Sequence, residues 1–560
     1  MKETQSSQWL EQFSQSEQYS ELLKEPVAYF SAEYALVSDW HSYAGGLGIL
    51  AGDYFFEMAS QKFPVVAIGL FYHQEYVAGE GQKRDPKTLG LSQVLGADGK
   101  PITVTLPIGD RDVQIRAWIM DKGPSRLFLL DTDVEGNHYE DRSITSILYA
   151  ENRDVRLMQE IVLGIGGMRF LRALEIHPAV FHLNEGHSAF LALELIRHEM
   201  RQHQLTFAKA YQYARQHIVF TNHTLVMAGQ ELFSIDKVDY MLKRFAQELE
   251  VTLGVIIALG KVPGQDLFSM TNLALNMSHK VNAVSVLHSI KAAVLWKDYT
   301  IEEVTNGIYI GRWDSIGDYS YDKEIWQKHQ SNKRILIDEI KKQTGKVFDE
   351  NILLLGWARR MVEYKQPLAI LADLQRFKDI AERQGRKVQI VFSGPLNESQ
   401  KENNQFLKTL LQYADNELKD TLVFLPNYNL NLSKILVSGC DVWLNTPMVG
   451  SEACGTSGMK ACLNGVLPLS TRDGWVYETN LSQVGWVVGE RGDISEELLT
   501  VLEKEIVPTY YESKAQWITR MRNSRELILE RFSASRMLAE YIDKFYLPIL
   551  KNKKHQGVGV

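Results

Sequence analysis

Short runs of β-branched and aromatic residues alternate along this chain with longer stretches whose apolar residues recur at helical spacing, with polar turns between them. In the first half the strand-like runs are residues 27–31, 63–71, 126–130, 180–183 and 217–221, and residues 159–176 and 189–201 show the helical period. Two runs, 102–107 and 113–119, flank Gly109-Asp110 and predict an antiparallel hairpin. The alternation restarts at 352–357 and continues through 388–393, 422–425, 442–444 and 466–470. Strand, turn and helix in repeated order predict an α/β protein of two doubly wound, Rossmann-like domains facing a cleft. The first is expected over 1–305 and the second over 306–533, joined near Thr305-Asn306-Gly307, with a last helix at 534–550 returning to the first. Ligands of such sheets lie at the carboxyl ends of the strands, so chemistry is sought there.

Composition narrows the classes. At 560 residues more than one domain is expected, and no internal repeat points to a solenoid or propeller. The opening residues lack a basic start followed by an apolar stretch, and no apolar run reaches bilayer length, so a cytoplasmic protein without a membrane anchor is expected. Three cysteines, Cys440, Cys454 and Cys462, have neither disulfide parity nor metal-ligand spacing, and no metal is expected. A formal charge of −8 disfavours a nucleic-acid partner bound through a general basic surface. The last ten residues, KNKKHQGVGV, are expected to fray.

Candidate chemistry gathers in a few segments. Residues 451–465, SEACGTSGMKACLNG, follow an apolar run, and their small residues can bring amides close to an anion at a helix start. Thr456 and Lys460 would share one face of that helix, a turn apart, suiting a ligand with a phosphate at one end and an aldehyde at the other. The bland reading is a capped helix carrying a solvated Lys460. Residues 356–367, GWARRMVEYKQP, set Arg359, Arg360 and Lys365 at a strand's carboxyl end, where arginine forks and a lysine charge could hold phosphate; a solvated basic turn is the alternative. Residues 43–54, YAGGLGILAGDY, place Gly45, Gly46 and Gly48 before a helix. HLNEGHSAF from His182, FTNHTLVMAG from Phe220 and TNGIYIGRW from Thr305 put polar side chains at strand ends, although histidines in such places are more often satisfied core groups.

In this order, over about residues 27–478, these segments resemble the glycogen, starch and maltodextrin phosphorylase family. The resemblance implies the GT-B glycosyltransferase architecture and pyridoxal 5'-phosphate carried by Lys460, with Gly455, Thr456, Ser457, Tyr428 and Arg359 around the cofactor. It implies that Arg360, Lys365 and the Gly46 amide hold the substrate phosphate. His223, Asn306, Glu452, Tyr364, Glu185 and Leu47 would contact the sugar. Arg359 stands where many members carry lysine, Glu185 where they often carry aspartate, and Ile49 where the larger enzymes carry arginine. The chain is shorter than those enzymes, so their amino-terminal phosphorylation and nucleotide control are not expected here.

The implied reaction is retaining transfer of terminal glucose from an α-1,4-glucan to inorganic phosphate, giving glucose 1-phosphate, with the cofactor phosphate assisting proton transfer. Two unit charges about 4 Å apart repel by roughly 4 kcal/mol at an intermediate dielectric, which gives Arg360 and Lys365 a purpose beside two phosphates. The partners implied are glucan and phosphate, and a homodimer is one assembly the resemblance allows. A nucleotide-sugar glycosyltransferase of glycogen-synthase type would show the same coarse pattern but has no need of Lys460. A glucan-binding protein without turnover is a third reading, which the joint presence of Lys460, Arg360 and Lys365 argues against.

Overall fold

The computed structural model describes residues 4–38, 40–74, 84–225, 230–395, 404–490 and 492–556. They form two compact units. The amino-terminal unit contains Ser6–Val284, Ser289–Val304 and the described residues from Met537 onward; the carboxyl-terminal unit contains Thr305–Arg536 with Ser285–His288. The fold is mixed α/β with parallel sheets. No helix among the described residues is long and apolar enough to cross a membrane.

In the amino-terminal unit, parallel strands run in the order Ile301–Glu303, Lys280–Ala283, Ile218–Asn222, Val180–Asn184, Val27–Phe30, Val65–Leu70, Ser125–Asp131. The central strands are buried on every residue, as their unbroken apolar runs require when helices cover both faces. Arg111–Lys122 adds to Ser125–Asp131 antiparallel, and Val104–Ile108 pairs with it through the turn after Ile108, as the hairpin reading expects. The chain leaves Val27–Phe30 toward one edge of the sheet and returns at Val180–Asn184 to build the other. The topological switch therefore lies between these two strands.

The helix read at 159–176 begins earlier, at Arg153, because Asn152 caps it by accepting from the Asp154 amide. It passes through one wide turn, Val162–Gly166, before Gly167–Ala173. At the other end of the chain, Leu547–Gln556 is helical, so the expected fraying does not begin at Lys551; residues 557–560, like 226–229 of the FTNHTLVMAG segment, lie outside the described residues. The helical stretch leading into it, Ala534–Tyr541 and Ile542–Tyr546, is bonded to the amino-terminal unit through Tyr541 and Tyr546. The Tyr546 hydroxyl donates to His182 Nδ1 at 2.7 Å, and the Asn282 amide donates to the Tyr541 hydroxyl.

The carboxyl-terminal unit has six parallel strands in the order Leu422–Leu425, Val388–Ser393, Leu353–Ala358, Val442–Asn445, Leu467–Thr471, Trp486–Val488. In chain order this is 3-2-1-4-5-6, with the switch between Leu353–Ala358 and Val442–Asn445. The strand amino ends are locked by a buried ionic knot. Asp441 accepts from Lys333 Nζ at 2.6 Å, His329 Nε2 at 3.0 Å and the Leu354 amide at 2.8 Å. Burial pushes the Asp441 carboxyl up, but Lys333 and His329 outweigh it and hold the acid ionised. Lys333→Met strands that charge, and is expected to destabilise this unit by about 3–5 kcal/mol. Denaturant unfolding followed by tryptophan emission measures this, and a loss below about 1 kcal/mol would contradict the assignment.

Candidate active site

At the amino-terminal switch, the loop after Val27–Phe30 and the turn after Val180–Asn184 carry the polar groups. Glu33 is buried and organises the first loop: Oε2 accepts from the Ala44 amide at 2.8 Å and Oε1 from the Tyr149 hydroxyl at 2.8 Å. Burial raises the Glu33 carboxyl, against the pull of Tyr149 and the loop amides. The helix Gly46–Ser60 starts from this loop, and Gly48 has to be glycine because a Cβ would stand 2.5 Å from Tyr43 Cβ and 2.7 Å from Glu33 Oε2. By contrast, nothing lies within 4 Å of a Cβ built on Gly45 or Gly46. The Gly45 and Gly48 amides bond to Glu33, whereas Gly46 is exposed and Leu47 half-buried at the start of this apolar helix.

Across the switch, Glu185 sits at φ 73°, a conformation non-glycine residues rarely hold and which costs of order 1–3 kcal/mol. Two amides hold it there: Oε1 accepts from Gly186 at 3.1 Å and Oε2 from His223 at 3.0 Å. Burial nevertheless pushes its carboxyl up to about 7. His223 Nε2 donates to Asn184 Oδ1 at 2.7 Å, and Asn184 Nδ2 donates to Ser31 Oγ, so the imidazole is oriented from the strand itself. His182 is instead a core group. Thr221 Oγ1 donates onward to Asn282, so His182 Nε2 donates to Thr221 while Nδ1 accepts from Tyr546; burial drives its pKa down to about 3 and keeps it neutral.

At the carboxyl-terminal switch the groups are charged. Arg359 follows Leu353–Ala358 directly, and Lys365 ends the short turn Glu363–Lys365. Both are buried and both donate to Glu452 Oε2. Lys365 Nζ also lies 4.7 Å from the centre of the Tyr364 ring, and the Tyr364 carbonyl accepts from the Met448 amide, tying this turn to the loop that carries Glu452. Burial alone would raise Glu452, but Arg359 and Lys365 overcome it and hold the carboxyl at about 2. Lys365 is the member that yields: burial and then Arg359 push it down to about 7, Arg360 adds to this, and Glu452 pulls the other way. One carboxylate cannot satisfy these cations together. Arg359 Nη1 is buried with no hydrogen-bond partner among the described residues, and Arg360 is exposed beside it.

The loop beyond Glu452 is fixed by Asp473, which accepts from the amides of Ser451, Glu452 and Gly474. Gly455 then turns the chain at φ 81°, where a Cβ would stand 3.1 Å from Glu452 Cγ, and the helix Thr456–Leu463 begins. Thr456 and Ser457 are half-buried at its first turn, and Ser457 Oγ accepts from Trp443 Nε1. Lys460 is not the solvated lysine of the bland reading: it is 4% exposed, with Nζ 4.2 Å from the centre of the Trp313 ring. Tyr428 is half-buried, its hydroxyl donating to Ser433. Asn306 is buried, and its Oδ1 has no partner among the described residues.

The structure thus brings Arg359, Lys365, Tyr364, Glu452 and Gly455 together in one unit, and Glu185 with His223 in the other. Sequence reading did not single out Glu33, Asp473 or Trp313. Each acts through backbone amides or a ring face supplied by a distant segment, and only the Gly-rich character of the neighbouring loops hinted at such close approaches. An organised helix start with an exposed Gly46 in one unit, and a buried lysine and arginine sharing one carboxylate in the other, are the features of this α/β protein that an oxyanion would complement.

The chain belongs to the carbohydrate phosphorylase family, whose model matches residues 158–316 and 314–485. It is 37% identical to the maltodextrin phosphorylase of Thermococcus litoralis over 94% of this chain and 71% of that one. It is 32% identical to the glycogen phosphorylase of Aquifex aeolicus over 96% of this chain and 88% of that one. An uncharacterized protein of Methanocaldococcus jannaschii matches at 30% identity over 93% of this chain and 99% of its own length.

If Glu452 is the partial counter-ion of an anion site, Glu452→Gln raises the local positive charge and should tighten binding of sulfate by about tenfold or more. The sulfate-dependent rise in melting temperature measures this at pH 6, on the acid side of the Lys365 value in the wild-type protein. Unchanged or weaker binding would contradict the geometry's reading.

Proposed function

We propose that this protein is an α-glucan phosphorylase, transferring terminal glucose from an α-1,4-linked glucan to inorganic phosphate with retention and releasing glucose 1-phosphate. Family membership and the maltodextrin and glycogen phosphorylases among its relatives support the reaction class. The observation that carries the reading to this chain's own residues is the buried Lys460, one turn from the Gly455 αL start and close in sequence to the Glu452 cluster. The proposal includes the two-domain GT-B architecture, a homodimer as the assembly and a cytoplasmic location.

The residues present fit pyridoxal 5'-phosphate. Lys460 offers an amine held away from water against Trp313, Gly455 allows close approach at the helix start, and the Thr456 and Ser457 hydroxyls are within the first turn. Tyr428 and Arg359, whose Nη1 has no hydrogen-bond partner among the described residues, complete the donor set for the ring and phosphate. When bound, the group supplies a phosphate able to take part in proton transfer.

The chain's own residues do the rest. Arg360 and Lys365 hold the incoming phosphate, Arg360 as a solvated fork and Lys365 as a buried point charge that the anion returns to its protonated form. The Gly46 amide adds a dipole from an open helix start, with Leu47 beside it toward the sugar. His223, held by Asn184, and Asn306 orient the hydroxymethyl end of the glucose, and Glu452 with the Gly455 amide its far hydroxyls. Tyr364 and the strained Glu185 complete the sugar contacts. Sugar hydroxyls bonded to preset donors and acceptors, with phosphate neutralised by the surplus cations, favour an oxocarbenium-like transition state captured on the face it left.

Lys460→Ala is expected to lose stoichiometric pyridoxal phosphate and at least about 1,000-fold of phosphorolysis, since both the anchor and the working phosphate depart. Absorption of the purified protein and glucose 1-phosphate formed from maltodextrin measure the two together. Full cofactor retention in the variant would move the anchor to another amine and overturn the assignment.

A further inference from the structure

Away from the cation cluster, the helix Arg153–Ile161, the turn Gly186–Ser188 and the segment just before Leu232–Ser234 enclose a cavity of about 20 Å³. That is room for one water-sized particle. Glu160, His187 and Glu231 all line it, and Glu160 and Glu231 are 5% and 8% exposed. Glu160 Oε2, His187 Nδ1 and Glu231 Oε2 are buried with no hydrogen-bond partner among the described residues. One ligand atom from each of the three residues lies within 4.8 Å of the other two.

The donors nearby are already engaged. Arg156 pairs with Glu231 Oε1 and stacks 5.5 Å above the Tyr149 ring; the Tyr149 hydroxyl donates to Glu33. The Gln159 amide donates to the carbonyls of Ile144 and Ile147, both at 2.8 Å. Three buried polar atoms therefore converge on this space with no hydrogen-bond partner among the described residues, a costly arrangement that a bound cation relieves. Three acids, Glu160, Glu231 and the neighbouring Glu185, gather beside the half-buried Arg156 and a mostly exposed Arg153.

We propose that Glu160, His187 and Glu231 bind one divalent first-row transition ion, of the kind that accepts an imidazole nitrogen with carboxylate oxygens, Zn²⁺ being the probe. Cysteine spacing could not reveal it, because no cysteine takes part. Ligand atoms bonded at about 2.0–2.1 Å stand roughly 3.4 Å apart, so binding draws the three side chains slightly inward by rotamer changes. The ion ties the helix, the turn that carries the strained Glu185 and the segment leading to Leu232 into one piece, acting as a positioning element and not as a reactant. The site stands whatever the substrate.

Full-length protein stripped with chelator and titrated calorimetrically with Zn²⁺ should take up one equivalent. Zinc-edge X-ray absorption of that sample should show one imidazole among oxygen ligands. Removing an outer partner of a metal ligand alone costs about 10–100-fold in affinity, so Glu160→Gln and His187→Gln should each weaken binding by at least about 100-fold. His203→Gln, at an exposed histidine of the same unit, should leave it unchanged. No stoichiometric uptake by the wild-type protein, meaning a cavity that holds water only, would overturn the proposal. So would a zinc shell without imidazole, or equal binding in the two ligand variants.

Discussion

A single largely enclosed carboxylate shared between buried cations sets the conditions for everything around it. Glu452 receives both Arg359 and Lys365 on one oxygen and keeps its charge, while Lys365 is left with a proton it holds weakly. Were the cluster electrically complete, it would be a structural ion pair of the kind that a matched apolar trio could replace. It is incomplete, with Arg359 Nη1 without a hydrogen-bond partner among the described residues and Arg360 exposed, and incompleteness of this sign is what an oxyanion corrects. The close Gly455 turn and the Asp473 bracket hold Glu452 where two strand ends deliver its partners.

Topology explains why those groups meet. In each unit the chain reverses its direction of travel across the sheet at one point, and the loops leaving the two flanking strands diverge there, opening a crevice. The loop shaped by Glu33 and the strained Glu185 turn flank one such point; the Arg359 turn and the Glu452 loop flank the other. Strand cores supply rigidity, and the loops supply chemistry at little cost to the packing beneath.

Much of this was legible in the sequence because the signals were local. Fully buried parallel strands leave continuous apolar runs, so Val27–Phe30, Val388–Ser393 and their neighbours could be read to within a residue or two, and the hairpin through Gly109 declared itself by its turn. Short edge strands such as Ile301–Glu303 and Trp486–Val488 left no such signature. The side chains that line the two switch points could be named from motif order, and family membership decides for a phosphorylase over a nucleotide-sugar transferase. What the sequence could not show was burial and partnership. Nothing local distinguishes a solvated Lys460 from one sealed against Trp313, or tells that Arg359 is enclosed while Arg360, its neighbour, is open to water. Glu33 and the Glu160, His187 and Glu231 group draw on residues far apart in the chain, and spacing carries no trace of them.

The account rests on Lys365 registering the arrival of an anion at the carboxyl-terminal cluster. Without anion, burial and Arg359 push Lys365 down to about 7, so at pH 8 most of the molecules have lost that proton; a bound dianion restores it. Calorimetric titration with sulfate at pH 8, in two buffers of different ionisation enthalpy, reads this directly, because sulfate itself does not titrate there. The account predicts uptake of close to one proton per site, shrinking as the pH is lowered through 6 and absent in Lys365→Met. Sulfate binding with no proton uptake, or with release, would contradict it.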